Sequence, residues 1–174
     1  MLRGLNMDRQ LLVSSLIEYA GRNHSSTEVI ATDSSGVVHR TNWSEVRSRA
    51  QQVSAALLDE GISTGDRIAT IAWNDHRHLE VYYGITALGS VLHTVNPRLR
   101  DQQISWIISH AEDQLVFVDP DFLRLAETIA PETPSVRKWV VLTDELPQTS
   151  LPNAVAYEEW ISKRGSAIRW PLLD

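Results

Sequence analysis

Leu88-Gly89-Ser90-Val91-Leu92-His93-Thr94-Val95-Asn96-Pro97-Arg98-Leu99 is the stretch that decides the fold. It runs from the end of an apolar helical pattern through a glycine that stops a helix to the β-rich run Ser90 to Val95, and then into a turn locked by Pro97. Helix, stop, strand and turn in that order make half of a βαβ unit. The turn falls at the carboxyl end of the strand and carries Arg98, whose permanently charged guanidinium can fork onto a phosphate or a carboxylate. The competing account is structural: Asn96 and Pro97 build the turn and Arg98 covers surface.

The same alternation extends to both sides. Upstream, Arg67 to Trp73 is a mostly apolar β run suited to a strand covered on both faces, and Asp75 is placed to cap a helix carrying Leu79, Tyr83 and Ala87. Before it, Trp43, Val46, Ala50, Val53 and Leu57 mark a helix, opened by Asn42 with Glu45 and stopped by Gly61. Glu28 to Thr32 and Val37 to Thr41 flank Asp33-Ser34-Ser35-Gly36 as a hairpin. Leu12, Leu16 and Tyr19 give the apolar face of an opening helix from about Arg9 to Arg22. Downstream come a helix from about Asp101 to Ala111, a strand Gln114 to Val118, a helix Phe122 to Ile129 and a strand Lys138 to Leu142. Residues 144–153 read as a loop, and Tyr157 to Lys163 as a last short helix. The expectation is an α/β fold: one segment over residues 1–174 with a largely parallel sheet, flanking helices and an N-terminal β-hairpin.

Composition narrows the function classes. The formal charge is −6 and there are only two lysines, Lys138 and Lys163, which argues against a nucleic-acid surface. The absence of cysteine removes disulfides, thiolate metal sites and cysteine nucleophiles, and suits a reducing compartment. No apolar run approaches the roughly 20 residues needed to cross a bilayer, so no membrane span and a cytoplasmic location are expected. The sequons at Asn23 and Asn42, without a secretory signal, are read as chance matches.

The common α/β chemistries can be tested directly. No G-x-G-x-x-G occurs, so a dinucleotide fold is disfavoured. Neither lysine follows a glycine run, which excludes a P-loop, and G-x-S-x-G is missing, so a hydrolase triad has no anchor. His76 and His78 stand two apart, an awkward spacing for a shared metal on a helix, and read as a solvated helix start with one ring packing inward. Asp119 and Asp121 flank Pro120 at a strand's carboxyl end, where they serve as turn formers and caps or as ligand-binding carboxylates.

Four stretches carry a family likeness: Leu11-Leu12-Val13-Ser14-Ser15-Leu16-Ile17-Glu18-Tyr19-Ala20, Thr41-Asn42-Trp43-Ser44-Glu45-Val46, Gly65-Asp66-Arg67-Ile68-Ala69 through Asn74, and His93-Thr94-Val95-Asn96-Pro97-Arg98-Leu99. In these the chain resembles the N-terminal part of the adenylate-forming, AMP-binding enzymes, specifically bacterial fatty-acyl-CoA synthetases of the medium- and long-chain type. Arg169-Trp170-Pro171-Leu172-Leu173-Asp174 resembles the approach to that family's phosphate loop, so residues 144–174 are expected to lead into the ATP loop of a larger domain. The resemblance implies ATP, Mg²⁺ and CoA as ligands of the full-length enzyme. It implies no catalytic and no metal-binding residue within this segment, and for Arg98 a contact to a CoA phosphate. As partners it implies the remainder of the same ligase chain and a homodimer. The expected function is therefore that of a ligase segment inactive by itself, with a non-catalytic binding or homo-oligomerisation module of the same fold as the alternative.

Overall fold

The computed structural model describes residues 10–162 and 168–173. Two sheets are present. The antiparallel pair β1 (Glu28–Thr32) and β2 (Val38–Asn42) is the expected hairpin. The other sheet is parallel throughout: β3 (Arg67–Ile71), β4 (Val91–Thr94), β5 (Leu115–Val118), β6 (Lys138–Val141) and β7 (Ala154–Ala156), in the order β4-β3-β5-β6-β7. The strand β7 is an addition to the sequence expectation. Its three residues lie between Asn153, in a left-handed conformation, and the helix that follows, too short for an alternating pattern to register.

Side chains of the central strands alternate between two cores. Ile68, Leu115, Phe117 and Val140 face α2 (Trp43–Asp59), α3 (His76–Thr86) and α6 (Tyr157–Ser162). Ala69, Ile71, Val116, Val118, Trp139 and Val141 face α4 (Asp101–Ala111) and α5 (Leu123–Ile129). The chain leaves β3 by α3 to reach β4 on one side, then by α4 to reach β5 on the other. Right-handed crossovers in opposite directions put α3 and α4 on opposite faces, which is the arrangement found.

Local signals acted as read in most elements. Asn42 Oδ1 accepts from Glu45 N at 3.0 Å to start α2, although Glu45 Oε2 turns to the Thr41 hydroxyl rather than closing a reciprocal box. Gly61 and Gly89 follow their helices with φ of +77°, a conformation that favours glycine. The opening helix, α1 (Val13–Asn23), differs. Its expected face is turned to solvent, with Leu16 63% and Tyr19 61% exposed, and the buried residues are Ser14, Ile17 and Gly21. The reason lies in α2, whose Arg47 crosses at Gly21 so closely that a Cβ there would collide with its Cδ. The small face, not the leucine face, permits that approach. Arg9, Lys163 and Asp174, named above as element ends, lie outside the described residues.

A second glycine sets the packing of α3. A Cβ on Gly84 would lie 2.5 Å from Val53 Cγ1 and 3.0 Å from Ala50 O, so α2 and α3 meet backbone to side chain. This contact turns Glu80, Val81 and Ile85 inward and leaves Leu79 and Tyr83 half-buried. Ser54 Oγ donates to Gly84 O at 2.6 Å, and Trp170 Nε1 in turn donates to Ser54 Oγ at 2.8 Å. Gln51 Nε2 donates to Ile168 O, so residues 168–173 lie back along α2. Gly84→Ala is expected to lower unfolding stability by about 1–3 kcal/mol through overpacking, measurable by urea denaturation, whereas Gly36→Ala in the open hairpin turn meets no neighbour and costs only its φ strain.

Candidate functional site

In an open parallel sheet the crevice outside the carboxyl ends of the strands, where the winding direction reverses, is the natural ligand position. Here that point lies between β3 and β5. From β3 the chain continues as Trp73-Asn74-Asp75 and from β5 as Asp119-Pro120-Asp121. Trp73 Nε1 donates to Asp121 Oδ2 at 2.9 Å, and the Trp73 and Phe122 rings lie 4.9 Å apart. Asp119 Oδ1 accepts from Asp121 N at 3.0 Å, capping the short 3₁₀ turn 120–122, and burial raises its pKa above the usual carboxylate range. Both acidic residues are thus engaged as cap and turn partners.

The two histidines at the start of α3 diverge. His76 is buried and stacks on His39 of β2 with ring centroids 3.6 Å apart. Burial, with His39 adding repulsion, lowers its pKa to about 4. His78 bridges back to β3 through Thr70 Oγ1 at 3.1 Å and Trp73 O at 3.0 Å. The histidine of the deciding stretch, His93, does not reach the carboxyl edge. It pairs at 2.7 Å with Asp113, which is fully buried, and the carboxylate raises the pKa of the imidazole. Among the described residues no group of three or more His, Cys, Asp or Glu could hold a metal ion.

At the end of β4, Val95 N still bonds Thr70 O, and Asn96 Oδ1 accepts from Arg98 N at 3.0 Å, closing the turn. Arg98 is exposed, and its guanidinium meets no hydrogen-bonding or ionic partner among the described residues. The Asn96-Pro97-Arg98 turn therefore sits on the same carboxyl edge as Asp75, Asp119 and Asp121 without touching them. Lys138, by contrast, is spent on the carboxylate of Glu60.

Beside this edge lies a charge network that the sequence reading did not single out. Glu80, 1% exposed, accepts from Arg49 Nε at 2.8 Å and from the buried Tyr157 hydroxyl at 2.7 Å. Arg49 also reaches Glu158, which is shared with Arg77, and Arg77 continues to Leu142 O and to Asp144. Burial pushes the Glu80 carboxyl up against the opposing pull of Arg49 and Tyr157. The members of the network come from α2, α3, α6 and the end of β6, and Arg49 and Glu158 are 109 residues apart in sequence. The one local hint was a glutamate on the Val81, Gly84, Ile85 side of α3.

The fold and this edge define a doubly wound α/β protein of the kind that binds ligands beyond its strand ends. The family model described as AMP-binding enzyme matches residues 17–167, and the chain belongs to that family. It is 41% identical over 173 residues to a medium-chain-fatty-acid–CoA ligase of Ectopseudomonas oleovorans, covering 98% of this chain and 32% of that protein. A 3-methylmercaptopropionyl-CoA ligase of Ruegeria pomeroyi is 38% identical with the same coverage. A long-chain-fatty-acid–CoA ligase of Thermus thermophilus is 38% identical over 95% of this chain and 30% of its own. The chain thus spans about a third of the length of these curated relatives. Among solved structures, an anthranilate CoA ligase in complex with anthranoyl-AMP superposes with a TM-score of 0.84 at 18% identity, covering 98% of this chain and 32% of that one. A coronafacic acid ligase from Pectobacterium brasiliense gives 0.76 at 19%, covering 90% and 30%. These two likenesses are of fold.

Two outcomes follow from the geometry. Arg49→Met is expected to cost about 3 kcal/mol in urea denaturation, because it leaves Glu80 buried without its cation. His76 stays neutral in the fold well below the ordinary histidine pKa of about 6.5, so its contribution to stability is present above that pH and is lost as pH falls toward 4. Urea midpoints taken across that window should fall more steeply for the natural chain than for His76→Asn.

Proposed function

We propose that this chain is the N-terminal portion of an ATP-dependent ligase that joins a fatty acid to CoA. The observation that carries this reading is the 41% identity to a medium-chain ligase along 98% of the chain, with the deciding Leu88 to Leu99 stretch inside the matched region. In the whole enzyme a carboxylate oxygen of the fatty acid attacks the α-phosphorus of ATP and pyrophosphate leaves. The CoA thiolate then attacks the acyl carbon and AMP leaves. We assign ATP and Mg²⁺ to residues of the ligase other than these 174, and catalysis with them, so that the chain by itself forms no acyl-adenylate. The cytoplasm, where these substrates are made and used, is the proposed location, and among the described residues no helix is long and apolar enough to cross a membrane.

Within this segment the group that fits one of the substrates is Arg98. An exposed guanidinium with no partner among the described residues, at the carboxyl end of an edge strand, suits a phosphate on the nucleotide end of CoA. Its role is to bind and orient that end while the thiol reacts elsewhere.

Joining these 174 residues to the remaining two thirds of the Ectopseudomonas oleovorans ligase tests the reading. The chimera should form octanoyl-CoA from octanoate, ATP and CoA, and the 174 residues alone should show no ATP–pyrophosphate exchange; an inactive but folded chimera defeats the assignment. In the active chimera, Arg98→Ala should slow thioester formation about tenfold or more while sparing acyl-adenylate formation. Equal loss in both half-reactions would remove Arg98 from the CoA site.

A further inference from the structure

The pair formed by His93 and Asp113 has no part in the reading above, and its setting is unlike that of the surface ion pairs. His93 Nδ1 donates to Asp113 Oδ2 at 2.7 Å, the carboxylate is fully buried, and its Oδ1 meets no hydrogen-bond donor among the described residues. A carboxylate so placed depends on its imidazole, because removing one member of a buried pair leaves the other uncompensated. The register shows how the two meet. His93 lies beside Ala69 of β3, Ala69 lies beside Val116 of β5, and Asp113 stands just ahead of β5. The imidazole therefore reaches over β3 toward the next strand, and the small side chain of Ala69 leaves it room.

The partners are 20 residues apart in sequence, and the chain between them forms one closed unit: the end of β4, the Asn96-Pro97-Arg98 turn and the whole of α4. The turn is fastened to the start of α4, since Leu99 N donates to Asn96 O at 3.3 Å and Arg100 N to Gln103 Oε1 at 3.1 Å. At the far end Asp113 N closes α4 on Ile108 O at 3.2 Å. A helix of 11 residues is about 16 Å long, so the turn leads into one end of it and Asp113 follows the other. Ser105 and Ser109 hold α4 to Glu132, and Arg67 of β3 holds its last turn through Ala111 O and Glu112. β4 itself is an edge strand with β3 as its only strand neighbour among the described residues. The side chain of His93 is what joins that edge strand to the carboxyl end of α4.

We propose that His93 and Asp113 are positioning residues for Arg98: their contact clamps β4 to the carboxyl end of α4 and so sets where the intervening turn presents its guanidinium to a CoA phosphate. The inference rests on the assignment of Arg98 to CoA above. Only the backbone N of Arg98 is fixed, by Asn96 Oδ1, and its guanidinium has no partner among the described residues to direct it. Its aim therefore comes from the backbone of the turn, whose two ends belong to β4 and α4. Neither His93 nor Asp113 touches the ligand, and each acts through the turn alone.

The active chimera is the protein to test, with the two half-reactions measured separately. His93→Ala should raise the KM for CoA and slow thioester formation about fivefold while acyl-adenylate formation keeps its natural rate. His93→Asn, whose amide can donate from the place of Nδ1, should recover most of that loss. A chimera carrying both His93→Ala and Arg98→Ala should lose no more than Arg98→Ala alone, because a clamp that acts only through Arg98 then has nothing left to aim. Where His93→Ala lowers the yield of folded protein, the pair His93→Leu with Asp113→Leu replaces both polar groups by apolar ones, and should keep adenylation and show the same thioester loss. Natural thioester kinetics in these variants, equal loss in both half-reactions, losses that multiply when Arg98→Ala is added, or His93→Asn as slow as His93→Ala would each overturn the proposal. With Arg98→Ala behaving as expected, such a result removes the clamp alone. Equal loss of both half-reactions in Arg98→Ala removes the CoA contact and the clamp together, and an inactive chimera removes the ligase reading itself.

Discussion

A strand buried on both faces needs helices on both, and β3 and β5 are such strands. Ile68 and Phe117 look into one core and Ala69 and Val118 into the other, each fully buried. Once these two strands pair in parallel, their connections must pass over one face or the other, and right-handed crossovers send α3 one way and α4 the opposite way. The winding reversal between β3 and β5 follows from this. So does the crevice at their carboxyl ends, toward which Asp75, Asp119 and the turn bearing Arg98 are carried. Position on that edge is a consequence of burial before it is a matter of chemistry.

The face built from α2, α3 and α6 bears an electrostatic constraint centred on the buried carboxylate of Glu80. Removing Glu80 from water is costly, and the structure offsets it with a guanidinium, a phenol and the second pair that Arg49 makes with Glu158. Because these groups come from three helices and the loop after β6, satisfying one carboxylate fixes how the last helix docks on the second and third. Tyr157 at the start of α6 serves packing and charge together: its ring is wholly buried and its hydroxyl donates to Glu80. A polar network of this kind adds specificity of arrangement where apolar packing alone would allow several.

The chain belongs to the AMP-binding enzyme family, yet the described residues present mostly scaffold: caps, turn carboxylates and paired charges. The acidic residues at the switch point are occupied by Trp73 and by backbone N–H groups. Arg98 differs from them in that its guanidinium meets no charged partner among the described residues. What is unsatisfied in an otherwise well-satisfied structure marks where the molecule meets something else.

The order of elements, the hairpin, the parallel sheet and the placement of the Asn96-Pro97-Arg98 turn were legible in the sequence, because each depends on signals within a few residues: periodicity, a capping Asn42 or Asp75, a stopping Gly61 or Gly89. The family, too, could be recognised from short local motifs. Tertiary structure alone decided which side of α1 is buried, since that depends on Arg47 crossing at Gly21, and which residues of α3 turn inward, since that depends on Gly84 meeting Val53. It also decided the pairing of β7 with β6 and the union of Arg49, Glu80, Tyr157 and Glu158. The physical reason is common to all of these. Close approach, charge pairing and edge exposure are properties of residues distant in the chain, and no local pattern encodes which distant partner will arrive.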